Sequence, residues 1–272
     1  MVKFGIYLST YHTTGNIHDL IELAELAEEH GWDGYFLWDH ILTGEGYDVI
    51  DPWVALSAIA ARTSKLTLGT TVTPLPRRRP WKVAREIASL AQLSNNRVVL
   101  GVGLGGGIEF SSLGEENDPR TRAEMLDESL QIIQGLLSGE KFSFQGKHYQ
   151  IDEVQFTPAT DIPIWVGGQW PNKKPFKRAS RYQGAFPISV EERLLSADEV
   201  RGMMAYIRKQ NPQLSDDFEL ILALYSFDEP EKNEYLKAYV EEGLSWYLEM
   251  LHPWRGDLDE LKHIVKRGPP QL

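Results

Sequence analysis

Gly34-Tyr-Phe-Leu-Trp-Asp-His40 is a short apolar run that ends in two ionisable side chains. Parallel strands that are buried on both faces have this nearly continuous apolar character. In a β/α barrel, the residues at the carboxyl ends of the strands build the active site. The run therefore predicts a buried strand, Tyr35–His40, that directs Asp39 and His40 into a cleft. The alternative is that Asp39 only caps a loop and that His40 is a satisfied polar residue at a strand end.

The alternation of strand and helix continues on both sides of this run. Short β-branched or aromatic runs alternate with amphipathic stretches, which is typical of repeated βα units and a parallel sheet. Eight such units can be counted. Their predicted strands are Lys3–Ser9, Tyr35–His40, Lys65–Thr73, Arg97–Gly105, Ile162–Val166, Gly184–Val190, Phe218–Ser226 and Leu244–Leu251.

Local signals predict where several helices begin and where a hairpin is inserted. Capping boxes precede three helices, at Thr121-Arg-Ala-Glu124, Ser196-Ala-Asp-Glu199 and Asp257-Leu-Asp-Glu260. Asn16 and Pro52 are suited to the starts of two earlier helices. Apolar and polar residues alternate in Phe142–Ile151, which predicts a small β-hairpin inserted at about residues 142–156 before the fifth strand.

Eight βα units without a linker-like change of composition predict one α/β domain, residues 1–272, folded as a (β/α)8 TIM barrel. An open doubly wound sheet would instead carry Gly-x-Gly-x-x-Gly after the first strand. The segment 9–15, Ser-Thr-Tyr-His-Thr-Thr-Gly, lacks that pattern. Glycines do alternate in 101–107, but this stretch is in the middle of the chain and its first glycines fall inside a predicted strand.

Composition and charge narrow the class of protein. The 272 residues are 42% hydrophobic, enough for a large core, and their formal net charge of −11 argues against a nucleic-acid partner. Cysteine is absent from the chain, so no disulfide, thiolate nucleophile or Cys-ligated metal is available. The first strand begins near residue 3, and no apolar run approaches the ~18 residues of a membrane span. We expect a cytoplasmic protein without a membrane partner.

Polar residues at the predicted strand ends should meet at one mouth of the barrel. They are Ser9, Thr10, Asp39, His40, Thr70, Thr71, Thr73, Gly105–Gly107, Glu109, Gly167, Gly168, Gln169, Ser189, Tyr225, Ser226, Glu249 and His252. The set is rich in hydroxyls and glycines and poor in metal ligands, and no His-Glu-x-x-His or Gly-x-Ser-x-Gly occurs. We therefore expect no metal and no serine hydrolase. The glycines suit either the close approach of a flat or phosphorylated ligand or ordinary turns.

Four motifs carry a resemblance to a known family. They are Trp38-Asp-His40, Leu68-Gly-Thr-Thr-Val-Thr-Pro-Leu-Pro-Arg-Arg-Arg-Pro-Trp81, Arg97-Val-Val-Leu-Gly-Val-Gly103 and Ile164-Trp-Val-Gly-Gly168. Their order and spacing resemble the bacterial-luciferase-like family of flavin- or deazaflavin-dependent oxidoreductases, from about residue 3 to about residue 255. The resemblance implies a TIM barrel with insertions whose mouth holds the ring of FMN or of the deazaflavin coenzyme F420.

The same resemblance implies roles for individual residues. His40 corresponds to the histidine that works beside the reactive ring, and Asp39 to an acidic neighbour that helps to hold the ring. Thr71 and Val72 match a place where the family often has a non-prolyl cis peptide against the ring. Further segments that match the cofactor lining are Gly105, Gly106 and Gly107 with Glu109, and Gly167 with Gly168. Glu109 is the second candidate catalytic residue after His40.

The implied function is an oxidoreductase that acts on a small organic substrate, because the cofactor supplies the redox chemistry and the protein supplies orientation. It would be a monooxygenase if FMN reacts with oxygen, or a hydride-transferring dehydrogenase or reductase with the deazaflavin. The pair Asp39-His40 leans towards the deazaflavin. The alternative is a non-catalytic flavin-binding barrel that serves in storage or sensing.

Two further expectations concern surfaces. The arginines Arg77–Arg79 are either phosphate ligands or, more often for such a run, a solvated face or a dimer contact.

Helices two and three carry more apolar residues than a barrel exterior requires, which predicts a homodimer packed through them. The residues concerned are Trp53, Leu56, Ile59, Trp81 and Ile87.

Overall fold

Eight parallel strands close into a barrel in the computed structural model, which describes residues 1–44, 46–252 and 254–271. The strands are β1 (Lys3–Leu8), β2 (Gly34–Leu37), β3 (Thr67–Pro74), β4 (Val98–Gly103), β7 (Ile164–Trp170), β8 (Gly184–Ser189), β9 (Glu219–Leu224) and β10 (Trp246–Leu251). Their order around the barrel is β1-β10-β9-β8-β7-β4-β3-β2. The predicted (β/α)8 barrel is confirmed. The predicted domain, residues 1–272, includes Glu45, Pro253 and Leu272, which lie outside the described residues.

Helices alternate with these strands and surround the barrel. They are α1 (Ile17–Glu29), α2 (Pro52–Arg62), α3 (Pro80–Ser94), α4 (Ile108–Ser111), α5 (Pro119–Leu137), α6 (Lys173–Ala179), α7 (Ala197–Gln210), α8 (Leu236–Glu241) and α9 (Leu258–Arg267). The capping boxes at Ser196 and Asp257 are both formed, and Asn16 accepts from the backbone of His18, as predicted. Across the described parts of the chain, no helix is long and apolar enough to cross a membrane.

The predicted start of α5 is wrong. The helix begins at Pro119 and not after Thr121, because the Asp118 carboxylate accepts from the backbone N–H of Thr121 and so caps the helix three residues earlier. Proline at the first helical position fits this start, since its missing N–H would have no intrahelical partner there. Glu124, the expected second half of the capping box, instead bonds Lys147 and His148.

The predicted second strand is also too long. The β2 ladder ends at Leu37, so Asp39 and His40 lie on the following loop and not in a strand. Side chains hold this loop in place of strand pairing. Arg77 donates to the Asp39 carbonyl at 2.9 Å, and Glu109 accepts from the backbone N–H groups of the next residues, Ile41 and Leu42. The other predicted strands differ from the observed ones by a few residues at several ends.

Aromatic side chains pack against one another in the barrel interior. The ring centroids of Phe36, Trp165 and Trp246 lie 5.1–5.5 Å apart in all three pairs. Glu219 accepts from both indole N–H groups, at 2.7 Å from Trp165 and 2.9 Å from Trp246. The interior is therefore a packed core, and space for a ligand is left at the mouth.

The strand β3 carries an irregularity that shapes this mouth. Its pairing with β4 shifts register between Thr70 and Thr73, and the peptide bond between Thr71 and Val72 is cis, as the resemblance implies. A Cβ atom at Gly103 would lie 2.3 Å from one Val72 methyl, and one at Gly167 would lie 2.7 Å from the other. Two glycines on neighbouring strands thus make room for a single valine.

The predicted hairpin is confirmed as the antiparallel pair β5 (Lys141–Gln145) and β6 (Gln150–Gln155). Glu128 of α5 fixes its turn, because the carboxylate accepts from the backbone N–H groups of Lys147, His148 and Tyr149 at 2.8–3.0 Å. The hairpin is therefore tied to the outside of the barrel wall through α5.

The apolar residues that motivated a homodimer are mostly inside the protomer. Trp53, Leu56, Ile59 and Ile87 are buried between α2, α3 and the barrel, and only Trp81 is exposed, at 37%. Four of the five residues that motivated the interface are therefore covered by packing within the chain, and the homodimer itself stays a prediction.

The close contact between β3 and β4 generates a test of the fold. In Gly101→Ala the new Cβ would lie 2.0 Å from the Thr70 carbonyl oxygen, which is backbone and cannot move aside. We expect the free energy of unfolding to fall by about 1–3 kcal/mol or more in chemical denaturation. Gly202→Ala in α7 is the matched control, since its Cβ meets only Trp170 at 3.9 Å. Because alanine has a higher helix propensity than glycine, the free energy of unfolding of Gly202→Ala should rise by about 0.5–1 kcal/mol. Equal stability of the two variants would contradict the packing described here.

Candidate active site

A cavity of about 1750 Å³ opens at the carboxyl ends of β2, β3, β4, β7 and β8. The predicted site residues in its lining are Asp39, His40, Thr71, Val72, Gly105, Gly106, Glu109, Gly167 and Gly168. The structure thus brings together all the predicted site residues except Gly107, which is the N-cap of the short helix α4. Convergence follows from topology, because parallel strands of a closed barrel end at the same mouth.

His40 and Glu109 form a hydrogen-bonded pair at this mouth. The His40 Nδ1 atom lies 3.0 Å from Glu109 Oε1, and 40% of the imidazole is exposed. An ionised carboxylate can only accept, so Nδ1 carries the proton of this bond. In the neutral imidazole the other nitrogen, Nε2, is then left as a proton acceptor.

The Glu109 carboxylate is buried and saturated with donors. Besides His40 it accepts from the N–H of Ile41 at 2.9 Å and from Arg77. Burial alone would raise the pKa of Glu109, but the hydrogen bond and charge of His40, the charge of Arg77 and the Ile41 amide together lower it to about 2. Glu109 therefore remains ionised at neutral pH and orients His40 without exchanging protons itself.

Asp39 lies beside this pair, and its carboxylate is bound by two arginines. The side chain is 0% exposed and accepts from Arg77 and Arg78 at 2.8 Å each, with the Trp53 indole at 3.4 Å. Arg77 is itself only 3% exposed, so the expectation of a solvated arginine face is wrong for this residue. Arg77 bridges Asp39 and Glu109, a role that the sequence reasoning missed. The sequence did contain a signal for this bridge. The arginine run follows β3, and the two neighbouring strands, β2 and β4, are followed by the carboxylates Asp39 and Glu109.

Three buried polar atoms in the cavity lining have no hydrogen-bond partner among the described residues. They are Trp38 Nε1, Thr71 Oγ1 and Arg122 Nε. Buried polar groups in folded proteins are nearly always paired, so unpaired ones in a cavity point to ligand or water contacts. A flat heteroaromatic ring that carries an anionic substituent offers suitable partners for all three atoms.

Arg122 is a buried cation in the lining. It is buried, its guanidinium packs 4.7 Å from the Phe110 ring, and no ion pair is found for it in the described chain. It also adjoins the glycine loop, because a Cβ at Gly106 would lie 3.6 Å from its Nη1 atom. Sequence reasoning missed Arg122, since nothing in a helical sequence shows which arginine will be buried without a carboxylate.

The cavity is basic at the end away from His40. The cationic side chains in its lining are Arg120, Arg122, Lys173, Lys174, Lys177, Arg178 and Arg181, against the carboxylates Asp118, Glu124 and Asp127. Arg178 and Arg181 are paired with Asp127, and Lys173 packs 3.5 Å from the Trp170 ring centroid. The remaining cations leave this end able to attract an extended anion.

No group of three or more His, Asp or Glu side chains is placed to hold a metal among residues 1–44, 46–252 and 254–271.

The floor of the cavity is aromatic. Tyr7 lies 5.2 Å from the ring of Trp38 and 5.4 Å from that of Phe186. Burial raises the pKa of the Tyr7 phenol, so this group stays protonated and the floor is uncharged. An apolar floor below, a proton acceptor at one end and cations at the other define a TIM-barrel protein with a site for a flat, anionic organic cofactor.

Comparison with known proteins agrees with this class. The family model described as luciferase-like monooxygenase matches residues 2–263, and the chain belongs to this family. It is 36% identical over 161 residues to an F420-dependent glucose-6-phosphate dehydrogenase of Nakamurella multipartita, covering 56% of this chain and 47% of that protein. The chain spans about half the length of the curated relatives it matches.

Solved structures show the same fold at low sequence identity. An F420-dependent secondary alcohol dehydrogenase in complex with an F420-acetone adduct aligns with a TM-score of 0.82, at 18% identity and 98% coverage of both chains. The oxygenating constituent of a diketocamphane monooxygenase from Pseudomonas putida, in complex with FMN, aligns with a TM-score of 0.69. Its identity is 16%, over 96% of this chain and 83% of that one.

The low pKa of Glu109 generates a prediction about stability. Because the folded-state pKa of about 2 is below the ordinary value of 4.5, its contacts stabilise the fold above pH 4.5. This contribution is lost as the pH falls from 4.5 towards 2. We expect Glu109→Gln to lower the free energy of unfolding by about 1–3 kcal/mol at pH 7, with the difference shrinking below pH 4.5.

Denaturant titrations of both proteins between pH 2 and pH 7 measure this difference. Glu153→Gln is the control, because Glu153 makes an exposed ion pair with Lys141, and this substitution should change stability by less than about 0.5 kcal/mol. A gap between wild type and Glu109→Gln that stays constant down to pH 2 would mean that the Glu109 charge contributes nothing.

Proposed function

We propose that this protein is an F420-dependent oxidoreductase that moves a hydride between the deazaflavin coenzyme and a small organic substrate. The observation that carries the proposal is one cavity that combines the acceptor nitrogen of His40, three unpaired buried polar atoms and a basic end. The sequence relative and the structural neighbour described above depend on F420, which supports the same choice.

The residues that would hold the cofactor ring surround Val72. Thr71 and Trp38 supply unpaired hydrogen-bonding atoms for the heteroatoms of the ring, and Val72 supplies an apolar surface. Backbone of the glycine segments in the lining, Gly105, Gly106, Gly167 and Gly168, completes the site, with Gly107 as their neighbour. Asp39 would act on the ring only through Arg77, since its own carboxylate is bound by two arginines.

The basic end of the cavity favours the deazaflavin coenzyme over FMN. FMN ends in one phosphate, whereas the deazaflavin coenzyme continues beyond its phosphate into a chain of carboxylates. Arg122 suits the phosphate, because it is buried and lacks a carboxylate partner in the described chain. The exposed cations Lys174 and Lys177 suit the carboxylate chain.

When bound, the deazaflavin would supply the hydride chemistry, and residues of this chain would move the proton. His40 Nε2 takes the proton of the substrate hydroxyl or returns it in the reverse reaction, a task that an imidazole performs well near neutral pH. Glu109 holds His40 in the required tautomer. Glu109 is thus a positioning residue and not a second acid or base.

An FMN-dependent monooxygenase is the second candidate, since a structural neighbour binds FMN. The visible spectrum of protein titrated with each cofactor, followed by turnover with and without oxygen, distinguishes the two.

The non-catalytic binding barrel has less support, because the relatives and neighbours described above are enzymes. A homodimer and a cytoplasmic location stay predictions, and light scattering at micromolar concentration tests the first.

His40 gives the most direct test of the mechanism. His40→Ala should preserve the fold and most of the cofactor affinity, because the side chain lies on a loop at the mouth and is 40% exposed. It should slow the single-turnover rate of hydride transfer by roughly 10²–10⁴-fold, the usual contribution of a positioned acid or base. The exposed His263, changed to Ala, is the control and should leave this rate alone. An unchanged rate in His40→Ala would remove His40 from the chemistry.

Arg122 gives a separate test of the cofactor site. Arg122→Met keeps much of the side-chain volume and removes the charge, so the Kd for oxidised F420 should rise by about 10- to 100-fold in a fluorescence titration. The deazaflavin riboside, which lacks the phosphate and carboxylates, should bind wild type and variant equally. Arg85→Met, which removes an arginine packed on Phe156 and not in the cavity lining, is the matched control. Equal loss of both ligands would mean that Arg122 only supports the fold of the site.

A further inference from the structure

The His40 ring needs more than its hydrogen bond to be fixed in space. Among the described residues, the bond between Nδ1 and Glu109 is the one found for this ring. The χ2 torsion of a histidine is broad, so a bond at Nδ1 fixes one atom and leaves the plane of the imidazole able to tilt. The direction of Nε2 depends on that plane. A second contact is therefore required to set it.

Two aromatic side chains pack against the imidazole. The ring centroid of Tyr11 lies 5.5 Å from that of His40, with the two planes 89° apart, and the centroid of Trp38 lies 6.0 Å from that of His40. Tyr11 and Trp38 also contact each other, with their centroids 6.0 Å apart. Perpendicular aromatic rings at such separations attract, because the positive edge of one meets the negative face of the other. The three rings therefore form one cluster that restricts the tilt of the imidazole.

The backbone that carries Tyr11 is held from two sides. Tyr11 pairs with Val49, on the loop after β2, in an isolated antiparallel bridge. On the other side, the Thr13 hydroxyl donates to the carbonyl of Gly256, on the loop after β10, at 3.3 Å. The loop after β1 is thus joined to both of its neighbours, and Tyr11 is a fixed wall for the His40 ring.

Tyr11 stands behind the cavity and not in its lining. The described lining residues include His40 and Trp38 but not Tyr11. A molecule bound in the cavity would therefore meet His40 and Trp38, and an effect of Tyr11 on the chemistry has to pass through these two side chains. This placement is that of a positioning residue.

We propose that Tyr11 fixes the plane of the His40 imidazole and so holds Nε2 in the direction in which it exchanges the substrate proton. Glu109 determines which nitrogen carries the proton, and Tyr11 determines how the ring is turned. The phenol of Tyr11 takes no part in the transfer. The proposal rests on the proposed function, because that function assigns the proton to His40.

NMR of the ¹⁵N-labelled histidine rings tests the orientation in the protein alone, at about pH 9, where an imidazole is neutral. Wild type should show His40 with protonated Nδ1 and a nuclear Overhauser effect to the Tyr11 ring. In Tyr11→Leu we expect the ratio of this tautomer to the other to fall about 3- to 10-fold, since a ring that tilts spends less time bonded to Glu109. Tyr11→Phe keeps the ring and should match wild type. Tyr11→Met, which also lacks the ring, should match Tyr11→Leu.

Tyr47→Leu is the matched control. Tyr47 packs 4.6 Å from the His12 ring at 80°, so this substitution removes a tyrosine–histidine contact of the same kind from the same pair of loops. It should leave the His40 signals unchanged. An equal change in Tyr47→Leu and Tyr11→Leu would mean that Tyr11 only supports the loops, and would overturn the proposal. Unaltered His40 signals in the Tyr11 variants, or no Overhauser effect in wild type, would do the same.

Coenzyme binding and kinetics separate this proposal from the function on which it rests. The Kd for oxidised F420 should change by less than about twofold in Tyr11→Leu, while the single-turnover rate used to test His40→Ala should fall about 3- to 10-fold. Adding Tyr11→Leu to His40→Ala should cost nothing more, and a further loss would overturn the proposal. Failure of wild type to bind F420 would overturn the proposed function alone, since the NMR measurement needs no coenzyme.

Discussion

The buried guanidinium of Arg77 between Asp39 and Glu109 is the interaction on which the mouth of this barrel depends. Asp39 lies on the loop after β2, Arg77 in the connection after β3, and Glu109 in the short helix α4 after β4. Burying charges is costly, and it is tolerated here because every charged group finds an opposite one and further hydrogen bonds. Removal of Arg77 would leave the buried Glu109 carboxylate without its arginine, at a cost of about 3–5 kcal/mol. The position of His40 is a consequence of this bridge, since Glu109 joins His40 to Arg77.

The number and order of the strands could be predicted from the sequence because they follow from repeated apolar periodicity, which is a local property. The ends of those strands could not, since they depend on contacts between distant residues. The chain leaves β2 at Leu37 because Arg77 and Glu109 bind the backbone that follows, and these residues are more than 30 positions away. The start of α5 differs from the prediction for a local reason. Asp118 caps the helix and Pro119 is its first residue, three residues before the capping-box pattern at Thr121.

Most of the candidate site could be predicted for a topological reason, because carboxyl ends of parallel strands meet whatever their sequence. Which polar residue does what could not be predicted in the same way. An arginine run on a loop is typical of a surface, and only tertiary packing places two carboxylates around Arg77 and buries Arg122 against Phe110. Most of the apolar side chains of α2 and α3 are likewise buried, because these helices pack on each other and on the barrel. In each case the sequence shows the residue type, and the partner is set by tertiary packing.

Val72 connects three strands at the mouth through its two methyl groups. One methyl occupies the place of a side chain at residue 103 and the other the place of a side chain at residue 167, so both positions are restricted to glycine while valine is present. A smaller residue at 72 would release both restrictions at once, whereas a larger one would tighten them. Positions 72, 103 and 167 are thus expected to covary during evolution. Descendants of this chain that acquire a differently shaped mouth should first change residue 72, since substitution of either glycine before that would be selected against.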